Sequence, residues 1–127
     1  LQQKKWPYYD QLIKLIKQNY PNLKIVIAPG PEEIEKAKEL DAVSILKEDK
    51  AISISELAGL IKRSKFVVAN DTGPAHMAAH LNVKGLSLFG SHTTAHKVSI
   101  ERENFKAIQV SDLKNLSAEK VFERLVL

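Results

Sequence analysis

Val67-Val68-Ala69-Asn70-Asp71-Thr72-Gly73-Pro74-Ala75-His76 is a short apolar run, a polar turn around one glycine, and a proline where a helix would begin. Read together, these ten residues predict a buried strand that ends in a tight turn and feeds directly into a helix. Gly73 has no Cβ, so backbone or ligand can come close to the turn. The first N–H groups of the helix have no partner within it and point toward the sheet edge, and with the helix dipole they favour a phosphate or diphosphate. Thr72 can add a hydroxyl donor and His76 an imidazole N–H. The plainer alternative makes Thr72 or Asp71 an ordinary N-cap and His76 a surface residue. A carboxylate beside a bound phosphate is repulsive, so Asp71 is expected to brace the turn rather than touch the anion.

Outward from this stretch, strands and helices alternate. Tyr8, Leu12, Leu15 and Ile16 recur at helical spacing between Pro7 and Asn19. Lys24 to Ala28 is a continuous apolar run that predicts a strand buried on both faces. Pro29-Gly30-Pro31 turns the chain into a helix from about Glu32 to Leu40, and Asp41 to Leu46 reads as another strand. Ser53 or Ser55 caps a helix reaching Arg63, with Leu57, Leu60 and Ile61 on its apolar face. Phe66 to Ala69 is a buried strand, Ala75 to Leu81 an alanine-rich helix, and Gly85 to Phe89 a further strand. Ser91 to Asn104 reads as a loop, Phe105 to Val110 as the last strand and Ser117 to Leu125 as the last helix. This alternation predicts an α/β fold, a Rossmann-like three-layer sandwich around a mostly parallel sheet. In such a sheet ligands bind beyond the carboxyl ends of the strands, which singles out the loops after Ala28, Ala69 and Phe89.

Composition narrows the function. At 127 residues the chain is one domain at most, and with 44% hydrophobic residues it can bury a core without staples. It has no cysteine, which excludes disulfides, thiolate nucleophiles and Cys-based zinc sites. No apolar stretch approaches the roughly 20 residues of a membrane span. The net charge of +4 is spread among interleaved acids, which describes a solvated surface and not a nucleic-acid stripe. The chain opens on Leu1 without a signal peptide's apolar segment, and we read it as part of something longer.

Other loops carry weaker signals. Behind Gly30, Glu32 and Glu33 either complement a helix dipole or accept hydrogen bonds from ribose hydroxyls. Lys4, ahead of the first helix, can reach a phosphate as a point charge while Trp6 packs the start of that helix; a solvated Lys4-Lys5 pair is the alternative. His76 and His80, and again His92 and His96, stand four residues apart, yet no carboxylates complete either set, so neither a metal nor another cofactor is expected.

Lys4-x-Trp6-Pro7, the glycine turn at Gly30 with acids behind it, Asp71-Thr72-Gly73-Pro74-x-His76-x-Ala78-Ala79 and Leu88-Phe89-Gly90 together resemble, in order and spacing, the C-terminal half of the ADP-heptose:lipopolysaccharide heptosyltransferases, glycosyltransferase family 9. The resemblance covers nearly the whole chain, and its specific part is Asp71-Thr72-Gly73-x-x-His76. It implies a GT-B enzyme of two Rossmann-like domains, with residues 1–127 a single nucleotide-sugar-binding domain from the C-terminal side. It further implies that Lys4 contacts the donor phosphates, Glu33 or its neighbour Glu32 the ribose, and Thr72, Gly73 and His76 the diphosphate. Asp71 then lies at the donor's sugar end or braces the loop. The catalytic base, an Asp, is expected in an N-terminal domain, so no catalytic residue is assigned here. The implied reaction is an inverting transfer of heptose from ADP-heptose to the lipopolysaccharide inner core. The implied location is the cytoplasm, at the inner face of a bacterial inner membrane, with peripheral membrane contact by the larger protein.

The chain departs from the family pattern in three places. Ser91-His92-Thr93-Thr94 stands where the family carries a Thr-x-Pro type loop, and Lys84-Gly85 where it has a proline. A strand and glycine turn that normally precede Lys-x-Trp are missing, so a sheet lacking a central strand is expected. Two other functions compete: a GT-B glycosyltransferase or epimerase using a uridine nucleotide, and a noncatalytic α/β binding module that keeps the turn for structure.

Overall fold

The computed structural model describes residues 5–70, 72–90 and 100–127. Helix α1 (Tyr9–Asn19) is followed by strand β1 (Val26–Ile27), the single turn α2 (Ile34–Ala37), and strands β2 (Val43–Ser44), β3 (Leu46–Lys47) and β4 (Lys50–Ala51). Helix α3 (Ile54–Arg63), strand β5 (Val67–Asn70), helix α4 (Gly73–His80) and strands β6 (Gly85–Phe89) and β7 (Phe105–Gln109) come next. The chain closes with a 3-10 turn (Leu113–Asn115) and helix α5 (Ala118–Glu123).

The parallel sheet comes in two pieces. One is β5-β6-β7, with Val67 opposite Gly85 and Asn70 opposite Leu88 in the first ladder. The other is the parallel pair β1-β2, with Val26 opposite Val43. Among the described residues β1 pairs only with β2, and β5 only with β6, so the sheet is interrupted between β1 and β5. β3 and β4 form a separate antiparallel hairpin.

The larger piece is covered on both faces, because alternate side chains of each strand face opposite ways. Phe89, Phe105 and Ala107 pack with Ile61, Ala75, Ala78 and Ala79 under α3 and α4. Leu86 and Leu88 pack with Trp6, Leu12, Leu116 and Val121 under α1 and α5. All five residues of β6 are buried, as a central strand between two helical layers requires. Small residues let α4 lie close to this sheet: Ala75, Ala78 and Ala79 are its buried positions. Gly85 is required by space. A Cβ there would stand 2.6 Å from the Val67 carbonyl oxygen and 2.5 Å from the Phe105 ring.

Several expectations need correction. β1 is shorter than the Lys24 to Ala28 run and only half-buried, because no described strand pairs with its second edge. The helix expected from Glu32 to Leu40 is the four-residue turn α2, since the acids around it leave little apolar surface to pack; Ala37 is its buried residue. β5 begins and ends one residue later than the apolar run, which brings Asn70 into the ladder. The hairpin β3-β4 was not anticipated. Its two turn residues are Glu48 and Asp49, both at positive φ, the conformation a two-residue hairpin demands. Of the two serines offered as a cap, Ser53 caps α3, in a reciprocal box with Glu56.

Candidate functional site at the carboxyl rim of the sheet

The β5–α4 turn has the expected form. Thr72 occupies the N-cap position of α4 with extended backbone, and Pro74 sits in the first helical turn. The Thr72 side chain does not cap the helix; its hydroxyl instead donates to the Asn70 carbonyl at 3.3 Å. The Thr72 carbonyl accepts the N–H groups of Ala75 and His76 at 3.1 and 3.3 Å. That leaves the N–H of Gly73 without an acceptor among the described residues. Among the described residues a Cβ at Gly73 would meet nothing within 4 Å, and its φ is not positive, so neither backbone strain nor crowding by those residues calls for glycine there. Gly73 is exposed among the described residues.

Asn70 anchors the turn from behind. In β5 the even-numbered side chains face α1 and the odd-numbered ones face α4, since Val68 packs in the α1 cluster and Val67 and Ala69 in the α4 cluster. The Asn70 side chain accordingly meets α1, where the Tyr9 hydroxyl donates to its Oδ1. Its carbonyl also accepts from the hydroxyl of Ser87, a fully buried residue of β6, at 3.3 Å. Burying a hydroxyl without a partner is costly, so this bond accounts for a serine in the middle of an apolar strand.

Glu33 comes to the same rim from the β1 side. Its Oε1 lies over Gly30, 3.4 Å from where a Cβ would stand, and its carboxylate acts electrostatically on the Tyr9 hydroxyl. Desolvation, with Glu33 adding, pushes the Tyr9 hydroxyl far above its ordinary value, so it remains a protonated donor. Glu32 and Glu33 are both exposed, and Glu33 makes no side-chain cap on α2. His76 is half-buried in the first turn of α4. Thr72, Gly73 and His76 thus follow the carboxyl end of β5, and Glu33 follows β1 and acts on the Tyr9 hydroxyl that bonds Asn70, while Lys4 and Asp71 lie outside the described residues.

Tyr9 is the residue that sequence reasoning missed. On an amphipathic helix it reads as core, and its partner is 61 positions away. Trp6 behaves as expected: it is 4% exposed, its Nε1 donates to the Leu116 carbonyl at 2.7 Å, and its ring meets that of Tyr9 edge-on at 4.9 Å. This pins the segment directly after Lys4.

Two open hollows lie elsewhere. One, of about 330 Å³, is at the amino ends of β5–β7 beside Phe66, Lys84 and Lys106, and the other lies between the β3-β4 hairpin and α3. Neither lies at the carboxyl ends of the parallel strands, where ligands bind in such sheets. Among the described residues no three His, Asp or Glu side chains are grouped to hold a metal, and His92 and His96 lie outside them. No helix among these residues is long and apolar enough to cross a membrane.

Comparison with known proteins extends the same picture. The chain is similar to the E. coli heptosyltransferase WaaC solved with ADP, at 26% identity and a TM-score of 0.83 over 97% of this chain and 39% of that one. WaaC solved with ADP-2-deoxy-2-fluoro heptose gives a TM-score of 0.80 at 26% identity over 95% of this chain and 38% of that one. E. coli ADP-heptose lps heptosyltransferase II shares the fold, with a TM-score of 0.77 at 21% identity over 96% of this chain and 41% of that one. A Campylobacter coli protein named lipopolysaccharide heptosyltransferase 1 is 30% identical over 114 residues, 83% of this chain and 33% of that protein. The chain thus spans between a third and about two fifths of the length of these relatives. The family model described as glycosyltransferase family 9 (heptosyltransferase) matches residues 1–125, and the chain belongs to glycosyltransferase family 9.

Proposed function

We propose that this chain is the donor-binding domain of a heptosyltransferase, holding ADP-heptose at the carboxyl rim of its sheet for transfer to the lipopolysaccharide inner core. The observation that carries the reading is the β5–α4 turn, where an exposed Gly73 presents an amide without a partner among the described residues. Relatives solved with ADP and with a fluorinated ADP-heptose supply the ligand class.

In this reading the diphosphate rests on the Gly73 amide and the positive end of α4, with Thr72, His76 and Lys4 around it. Glu33, or Glu32 beside it, accepts the ribose hydroxyls, and Asp71 braces the turn or meets the sugar. The transfer inverts the anomeric carbon: a base deprotonates an acceptor hydroxyl, the oxygen forms the new bond on one face, and ADP departs from the other with the electron pair of the broken bond. This domain's part is to hold the negative charge that grows on the leaving diphosphate, with the Gly73 amide as the fixed donor and the Thr72 hydroxyl rotating from the Asn70 carbonyl onto the ligand. The base, an Asp, and the acceptor site belong to an N-terminal domain of the whole protein, which works in the cytoplasm at the inner face of the membrane.

The test is calorimetric titration with ADP and UDP side by side. ADP binding is expected, with Thr72→Ala and His76→Ala each weakening it by about 1–3 kcal/mol, the range for hydrogen bonds to a charged group. A preference for UDP would assign a different donor. Unchanged ADP affinity in both variants would make the turn purely structural.

A further inference from the structure

We propose that Tyr9 is a positioning residue of the donor site, tying the turn that carries Thr72 and Gly73 to the side of the rim that carries Glu33. The inference rests on the reading of this rim as a nucleotide-sugar site.

The need for such a tie comes from the interrupted sheet. Glu33 follows β1 and Thr72 follows β5, and these two strands share no hydrogen bond. A nucleoside diphosphate spanning both loops needs them held at a fixed separation, because misplacing a binding group by even 1 Å is costly. Side chains of helix α1 reach both pieces. Tyr9 donates to Asn70 Oδ1 at the end of β5, and Lys17 pairs with Asp41, just before β2, at 2.8 Å. The ion pair is exposed and contributes little. The Tyr9 bond is shielded, and it acts on the residue whose carbonyl receives both Thr72 and Ser87.

Two features make Tyr9 suited to this work. Its ring is held independently of its hydroxyl, edge-on against a Trp6 that is itself anchored to Leu116. The hydroxyl stays protonated across the working pH range, so it donates to Oδ1 and fixes which way the Asn70 amide is turned. Because the ring packing survives loss of the oxygen, Tyr9→Phe separates positioning from folding.

The experiment is a double-mutant cycle on ADP affinity, measured by calorimetry on the whole protein well below every variant's unfolding midpoint. The variants are wild type, Tyr9→Phe, Asn70→Ala and the pair, with Asn70→Ser in place of Asn70→Ala should that chain not fold. Tyr9→Phe is expected to weaken ADP about threefold to tenfold, the usual scale of one hydrogen bond, and to have no further effect once Asn70 is altered. Wild-type ADP binding with Tyr9→Phe unchanged overturns the inference and leaves the donor-site reading standing. Two losses that simply multiply also overturn it, because Tyr9 would then not act through Asn70. Wild-type protein that takes up no ADP overturns the donor-site reading, and the inference with it.

Discussion

The strands β5-β6-β7 carry a buried cluster on each face, whereas no residue of β1 or β2 belongs to either cluster. Phe89, Phe105, Leu88 and Val121 are wholly buried around the first piece, while Val26 and Ile27 are half-buried and Val43 is 51% exposed in the second. The difference teaches how the donor rim is built. The turn proposed to hold the diphosphate stands on a rigid scaffold, and the loop proposed to hold the ribose stands on a light one, joined to it through α1.

The comparison breaks if large truncations cost the same on both sides. Phe105→Ala removes a fully buried ring from the α3–α4 side and is expected to cost about 3–5 kcal/mol in chemical denaturation. Next in size is Gly85→Ala, expected to cost about 2–3 kcal/mol, because the new methyl meets the Val67 carbonyl oxygen, which cannot move without breaking a ladder. Val26→Ala, in the lighter piece, should cost only about 1 kcal/mol, since its side chain is half in solvent. Equal losses for Val26→Ala and Phe105→Ala would erase the distinction between the pieces.

What could be read in the sequence follows the same divide. Gly85 to Phe89 gave its strand residue for residue, because a central strand buried on both faces leaves a nearly continuous apolar run, broken here by Ser87. Lys24 to Ala28 has the same look, but among the described residues only β2 pairs with β1, and periodicity does not report how many neighbours a strand has. The β5–α4 turn was legible because Pro74 favours the first turn of a helix and the polar residues before it end the apolar run of β5. Glu48 and Asp49 hid the hairpin, being acids in a conformation for which asparagine and glycine are the usual signal. Tyr9 and Asn70 were out of reach because their bond is a product of tertiary packing, with no local trace in either segment.

The smallest expected effect concerns pH and the box that starts α3. Hydrogen bonds from Ser53, backbone first and then side chain, with Lys47 adding, hold the Glu56 carboxyl below its ordinary value of 4.5. A carboxyl lowered in the folded state stabilises the fold above its unfolded value and loses that contribution as pH falls through the folded one. Thermal melts should therefore fall more steeply below pH 4.5 in wild type than in Glu56→Gln, with the two curves parallel above it. Divergence only above neutral pH would contradict the assignment. The effect is modest because the group is exposed and screened.

The central claim is that a diphosphate rests on the amide of Gly73 at the start of α4. A crystal structure of the protein with ADP tests it most directly. The account predicts diphosphate oxygens within hydrogen-bond distance of the Gly73 N–H and the ribose on the Glu33 side of the rim; ADP seated elsewhere, or a rim occupied by the protein's own side chains, would contradict it.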